Sequence, residues 1–172
     1  MKLLIIGHGR HGKDTVCEIL QTKYNLSFES SSRFCSKRFI YNLLKDKYNY
    51  IDENECYNDR HNHRVEWYNA IRNYNKGDDA RLGREILKTY DIYCGLRNKS
   101  EYFAMKNAKE FDYAIWVDRC KCLPIEPKES MNLEKWMADF TIDNNGNLDD
   151  LISNTCYLIE SLKTKIQKRK PS

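Results

Sequence analysis

Residues 2–15 read Lys2-Leu3-Leu4-Ile5-Ile6-Gly7-His8-Gly9-Arg10-His11-Gly12-Lys13-Asp14-Thr15. Lys2–Ile6, with the apolar run Leu3–Ile6, reads as a buried strand, and Val16, Ile19 and Leu20 then recur at helical spacing within Lys13–Tyr24. Between strand and helix, Gly7, Gly12 and Lys13 satisfy G-x-x-x-x-G-K, with Asp14 where the usual pattern has Ser or Thr and with Thr15 next. Gly7, Gly9 and Gly12 let the backbone turn its N–H groups inward around an anion, and the helix N-terminus adds partial positive charge. His8, Arg10 and His11 fill the remaining loop positions. Lys13 is placed to reach the β- and γ-phosphates of a nucleoside triphosphate, with Asp14 and the Thr15 hydroxyl as candidate magnesium partners. The strand–loop–helix context separates this reading from a glycine-rich turn without a ligand.

Beyond the loop, short apolar runs alternate with amphipathic stretches. Leu26–Phe28 predicts a second strand running into Ser30-Ser31-Ser32, and Phe39, Leu43 and Leu44 predict a helix over Phe34–Tyr48. A long helix is expected from about Glu53 to Tyr74, another over Asp79–Tyr90, then a strand at Ile92–Cys94 and a helix over Ser100–Lys109. Tyr113–Val117 reads as a buried strand, Pro124–Pro127 as an exposed loop, Phe140–Ile142 as a weaker strand, and Leu148 to about Gln167 as a closing helix. This alternation predicts an α/β fold of three layers, α/β/α, around a mostly parallel sheet of about five strands.

The chain has 172 residues, 41% of them hydrophobic and 31% charged. That length suits one domain, residues 1–162, followed by a basic tail at 163–172. The apolar content supports a true core and excludes a disulfide scaffold or a disordered chain. The longest apolar run, Tyr113–Val117, falls far short of the ~20 residues of a membrane helix. Met1-Lys2 leads through Leu3–Ile6 into glycines with no signal-peptide core, so a cytoplasmic location away from membranes is expected. Of seven cysteines only Cys120 and Cys122 lie close together, which predicts free thiols in a reducing compartment and no structural zinc. The net charge is +4 from 29 basic and 25 acidic residues, much of the excess lying in Lys163, Lys165, Lys168, Arg169 and Lys170. Such a tail is either a solvated helix end or a contact for a polyanion.

Phosphoryl transfer needs positive charge on the migrating group and a dry pocket for the acceptor. Four segments offer that chemistry. Ser32 and Arg33 follow the second strand, where the serines serve equally as a helix cap. In Asp59-Arg60-His61-Asn62-His63-Arg64, followed by Trp67 and Tyr68, helical spacing sets Arg60, Arg64 and Trp67 on neighbouring turns, with His63 paired to Trp67. Guanidinium beside aromatic suits a phosphate with a stacked base, and the alternative is a salt-bridged surface with Trp67 in the core. Arg97, in Gly95-Leu96-Arg97, leaves a predicted parallel strand at the edge where ligands gather. Asp118 does the same after Tyr113–Val117, as magnesium ligand, general base or ion-pair partner of Arg119. Asn144 and Asn145, in Asp143-Asn144-Asn145-Gly146, are candidates to cradle an adenine or form a plain turn.

Together GHGRHGKDT, SSSRF, DRHNHR, GLRNKSEY, IWVDR and IDNNGNLDDL resemble small bacteriophage P-loop kinases. That family is similar to deoxynucleoside monophosphate kinases and includes 5-hydroxymethyluridine DNA kinases of thymidine hypermodification. The resemblance spans most of residues 1–155. It implies a P-loop kinase fold, ATP with Mg2+, Gly7–Thr15 as the ATP loop and Arg97 near the reacting centre. One position departs: many such monophosphate kinases carry D-x-R at the strand end, where this chain has Gly95-Leu96-Arg97. Asp14 and Asp118 are the candidate replacements. The expected activity is ATP-dependent phosphorylation of 5-hydroxymethyluracil in DNA. The alternatives are a deoxynucleoside monophosphate kinase acting on free dNMP, with Arg60, Arg64 and Arg97 on the acceptor phosphate, and a non-catalytic P-loop module.

Overall fold

The computed structural model describes residues 1–169. The strands β1 (Leu3–Ile6), β2 (Phe28–Ser30), β3 (Ile92–Cys94), β4 (Tyr113–Asp118) and β5 (Phe140–Asp143) form one sheet in the order β2-β3-β1-β4-β5. Every pairing is parallel, so the sheet is wholly rather than mostly parallel. Parallel strands need crossovers, and α1 (Lys13–Tyr24) joins β1 to β2. Between β2 and β3 lie α2 (Ser31–Cys35), α3 (Tyr41–Tyr48), α4 (Glu53–Asp59), α5 (Arg64–Tyr74) and α6 (Arg81–Thr89), and α7 (Lys99–Asn107) joins β3 to β4. The β4–β5 connection holds only a short 3-10 turn at Lys135–Met137, and α8 (Leu148–Arg169) follows β5.

Alternation along the strands builds two cores. Leu3 and Ile5 of β1, Ile92 and Cys94 of β3, and Ile115 and Val117 of β4 pack with Val16, Leu20, Leu151 and Ile159 of α1 and α8. Leu4, Ile6, Tyr93, Ala114 and Trp116 face the opposite way, onto Cys35, Ile40, Trp67, Ile86, Tyr102 and Met105. A strand buried on both faces reads as a continuous apolar run, which is why Leu3–Ile6 shows no polar alternation.

Several local boundaries differ from the sequence expectation. The second strand lies two residues later than predicted, at Phe28–Ser30, and the Ser30 hydroxyl accepts from the Arg33 N–H (3.2 Å) to cap α2. The helix expected over Phe34–Tyr48 begins at Ser31 and passes through a π-helical turn at Ser36–Ile40. The single helix expected over 53–74 is two helices. Asp59 accepts from Asn62 Nδ2 (2.6 Å) and pairs with His63 Nε2 (2.9 Å), while the backbone tightens to i→i−3 bonds, Asn62 N–H to the Asp59 carbonyl (2.9 Å) and His63 N–H to the Arg60 carbonyl (3.3 Å). α8 runs without a break past residue 162, and its last turns lie far from β5's C-terminal end. Lys163 sits over Tyr24 (4.3 Å) and Lys165 over Phe140 (5.1 Å), at the sheet edge opposite the glycine loop. Lys170 lies outside the described residues. Among the described residues no helix is long and apolar enough to cross a membrane.

β1 lies between β3 and β4, so the chain's crossovers diverge to opposite sides at its C-terminal end. That divergence opens the crevice where ligands of parallel sheets bind. Gly7 crosses it at φ 142°, and a Cβ there would stand 2.5 Å from the Val117 carbonyl oxygen. Because that oxygen belongs to the central backbone, it has little room to yield. Gly7→Ala is expected to lower stability by about 2–4 kcal/mol in denaturant unfolding, and a variant as stable as the parent would show the approach to be looser.

Candidate functional site

The Gly7–Lys13 loop is held open by three residues in the positive-φ region, Gly7, Arg10 (64°) and Gly12 (91°). Gly12 precedes α1 and no side chain caps that helix, so the first-turn N–H groups of α1 face the loop unclaimed by a cap. Lys13 is buried and its Nζ donates to the His8 carbonyl (2.7 Å), folding the loop around its own ammonium. Burial lowers the Lys13 pKa. His11 is fully buried, and its Nδ1 accepts from the Arg119 N–H (3.1 Å), tying the loop to the end of β4. His8 meets His11 and Trp116 edge-on, each with centroids 5.3 Å apart.

A residue that the sequence reading passed over stands in this loop. Glu126, from the predicted Pro124–Pro127 loop, accepts the Gly9 N–H on Oε2 (2.5 Å) and the Arg97 Nη1 on Oε1 (2.7 Å). Its backbone N–H donates to His8 Nδ1 (3.2 Å). Burial works to raise its carboxyl, but Arg97, the Gly9 N–H and Lys13 outweigh that and hold it below the ordinary carboxylate range. The Gly9 N–H and Arg97 therefore converge on one anionic position, filled by a carboxylate, while the buried Lys13 of the same loop is bonded to the His8 carbonyl. The only sequence signal was an acidic residue beside a proline in a loop following a strand end.

The other expected residues fall into three groups. Asp118 ends β4, where its carboxylate takes Lys135 Nζ (2.7 Å) and the Cys120 N–H (3.0 Å). Its partner is thus Lys135 rather than Arg119. Burial opposes its ionisation, yet Lys135 and Cys120 bring its pKa down to about 2. Asn144 is buried and donates from Nδ2 to the His11 carbonyl (2.9 Å), while its N–H donates to the Asp118 carbonyl (2.8 Å). Asn145 accepts the Lys121 N–H (2.9 Å), so both asparagines brace the seam joining the loop, β4 and β5.

Asp14 and Thr15 occupy the first turn of α1, with Asp14 accepting from the Cys94 thiol (3.3 Å). They supply hard oxygen donors of the kind that suit a magnesium ion shared with phosphates. Among the described residues no group of three or more His, Cys, Asp or Glu converges as a metal site. The anion-receiving loop, Lys13 and Arg97 fit a polyphosphate, and the Glu126 carboxylate marks where such charge is accepted. Gly95 lies at φ 88°, a conformation that an aspartate adopts only with strain, which accounts for the missing carboxylate of D-x-R.

On the acceptor side, Arg33 and Arg60 flank the Tyr57 ring at 4.6 and 4.0 Å. Arg33 also bonds Asn54 and pairs with Glu53 (3.4 Å). Ser32 is half-buried in α2 beside it. Burial, then the charges of Arg60, Arg64 and Arg10, lower the His61 pKa. His63 is engaged by Asp59 and stacks on Tyr48 (3.8 Å). Trp67 is only 5% exposed and belongs to the core, as in the alternative that the sequence left open for it. The exposed aromatic of that segment is Tyr68.

The chain aligns with the crystal structure of shikimate kinase from Aquifex aeolicus at a TM-score of 0.50 and 16% identity, over 95% of this chain and 99% of that one. It also aligns with shikimate kinase from Bacteroides thetaiotaomicron (TM-score 0.49, 11% identity, 95% and 98% covered) and with a gluconokinase from Sinorhizobium meliloti (0.44, 10%, 95% and 96%). No family model and no curated protein sequence matches. The likeness to the Aquifex enzyme shows a P-loop kinase fold, a three-layer α/β/α architecture around the parallel sheet.

The Asp118–Lys135 pair has a defined pH signature. A carboxyl depressed in the folded state contributes stability above its unfolded pKa of about 3.9 and loses it as pH falls toward about 2. Asp118→Asn is expected to destabilise the fold near neutral pH by about 1–2 kcal/mol, a value discounted for the exposure of Lys135. Urea titrations should show this difference shrinking below about pH 4; a difference independent of pH would remove the ion pair as its cause.

Proposed function

We propose that the chain is an ATP-dependent kinase that transfers the γ-phosphoryl group to the hydroxymethyl oxygen of 5-hydroxymethyluracil in DNA. The observation that carries the kinase reading is the convergence of the Gly9 N–H and Arg97 on one anionic position beside the loop that holds the buried Lys13, at the switch point of a parallel sheet. Phosphoryl transfer depends mostly on positioning and on positive charge around the migrating group, which are what this arrangement supplies.

ATP with Mg2+ supplies the phosphoryl group and neutralises its charge when bound. The loop N–H groups and Lys13 hold the β- and γ-phosphates, Asp14 and Thr15 hold the cation, and Arg97 meets the migrating group from the facing wall. Asn144 and His11 keep the loop rigid through their bonds to its neighbours. An oxygen–phosphorus bond forms at the acceptor hydroxyl, which gives up its proton, while the bond from the γ-phosphorus to the bridging oxygen breaks and ADP leaves.

The DNA acceptor is supported by the resemblance of the sequence blocks to phage kinases and by the basic and aromatic residues at the start of α5. Arg60, His61 and Arg64 lie together where α5 begins, and Tyr68, 56% exposed, lies one helical turn beyond Arg64. Guanidinium next to an exposed ring suits a strand phosphate beside a stacked, unpaired base. The Lys163 and Lys165 positions at the opposite sheet edge take no part in that surface. The second reading, a deoxynucleoside monophosphate kinase, is favoured by Arg33 and Arg60 paired across Tyr57, where two guanidiniums suit a terminal phosphate.

The deciding assay supplies γ-labelled ATP with DNA containing 5-hydroxymethyluracil, unmodified DNA, and free deoxynucleoside monophosphates in parallel. Label confined to the modified DNA is expected, and Lys13→Ala should abolish it. Label on a free monophosphate alone would replace the DNA reading with the second one. Nucleotide binding with no labelled product on any acceptor would make the chain a non-catalytic module.

A further inference from the structure

The segment joining β4 to β5, residues 119–139, divides into an anchored half and an arch. In the anchored half Met131, Leu133 and Met137 are buried in the core. The Asn132 N–H donates to the Arg97 carbonyl (3.2 Å), and the Lys99 N–H donates to Asn132 Oδ1 (2.7 Å). The arch, residues 120–130, is largely exposed; Ile125, for example, is 66% exposed. Glu126 is its inward-facing exception, set between Ile125 and Pro127. A residue before proline is confined to extended backbone, which limits the ways Glu126 can be presented.

Three separate contacts place Glu126 on the phosphate loop: its carboxylate on the Gly9 N–H, the same carboxylate on Arg97, and its own N–H on His8 Nδ1. An ideal Cβ on Gly9 would lie 3.0 Å from Glu126 Oε1, so the loop backbone and the carboxylate are in close contact. A phosphate and a carboxylate both require those donors, and two anions cannot share them without strong repulsion. We infer that Glu126 is an internal occupant of the phosphate site, an acidic plug carried on the arch, which a nucleotide polyphosphate must displace to bind.

Displacement does two things together. It frees the Gly9 N–H, and it releases Arg97 from a carboxylate to a phosphate. Arg97 is therefore quenched while the loop is empty and becomes an electrophilic clamp as the polyphosphate enters. Apparent nucleotide affinity is reduced by the fraction of molecules in which the plug is seated, and removing the plug raises it. This rests on the ATP-loop part of the proposed function and is independent of the acceptor.

The test measures binding of ATP, ADP and inorganic pyrophosphate to the full chain by calorimetry, with magnesium chelated so that a metal-ligand role for Glu126 cannot enter. Glu126→Gln keeps the shape and removes the charge, and Glu126→Ala removes both. Both variants are expected to bind each polyphosphate roughly tenfold more tightly than the parent. Adenosine, which has no phosphate, should bind all three proteins alike. If the parent binds ATP and neither variant binds it more tightly, the plug is refuted while the ATP reading stands. If neither the parent nor the variants bind any polyphosphate, with magnesium chelated or restored, the ATP reading fails and takes the plug with it.

Discussion

The approach of the Gly7 backbone to the Val117 carbonyl is the contact on which the cleft depends. It requires a residue with no Cβ in a positive-φ conformation, and it presses the exit of β1 directly against β4. From there the chain has six residues, Gly7 to Gly12, in which to reverse and enter α1. His11 is tied to Arg119 after β4, and Asn144 after β5 is tied to His11. The phosphate loop is thus a rigid part of the sheet edge, with its N–H dipoles oriented before any ligand arrives. Preorganised dipoles of this kind stabilise charge without the reorganisation that water would need.

Charge balance at this edge is local. Lys13 is buried and folded onto the His8 carbonyl, Asp118 is held by Lys135, and Arg97 is held by Glu126. Asp118 and Arg97 each have an opposite charge brought from another segment, and the Lys13 ammonium has a carbonyl of its own loop, so each is hydrogen-bonded in its desolvated place. The backbone at Gly95 disfavours an aspartate, and a carboxylate reaches Arg97 across the cleft instead. The same guanidinium is therefore served by a mobile class of partner, a loop carboxylate, rather than by one fixed to the strand.

Residues whose surroundings are decided by nearest neighbours in the chain were readable from sequence. Leu3–Ile6 signalled a strand buried on both faces, the glycines signalled the turn, and Tyr113–Val117 signalled a second central strand. Where side chains compete with the backbone, periodicity misled. Asp59, Asn62 and His63 interact at a break in a helix whose apolar spacing ran on to Tyr74, and packing decided that Trp67 is buried and Tyr68 exposed. Basic composition at the C-terminus was equally visible, but only the direction of α8 puts Lys163 and Lys165 at the far edge of the sheet.

The sequence by itself determined the parallel α/β fold and the place of the phosphate loop in it. Apolar run length, helical spacing and the glycine pattern are local properties that constrain the backbone directly. Tertiary structure alone decided which charges meet. Glu126 stands 117 positions from Gly9 and 29 from Arg97, and no periodicity links them. Their meeting follows from the parallel sheet, which brings the loops after β1, β3 and β4 to one edge and leaves electrostatics to select the partners there.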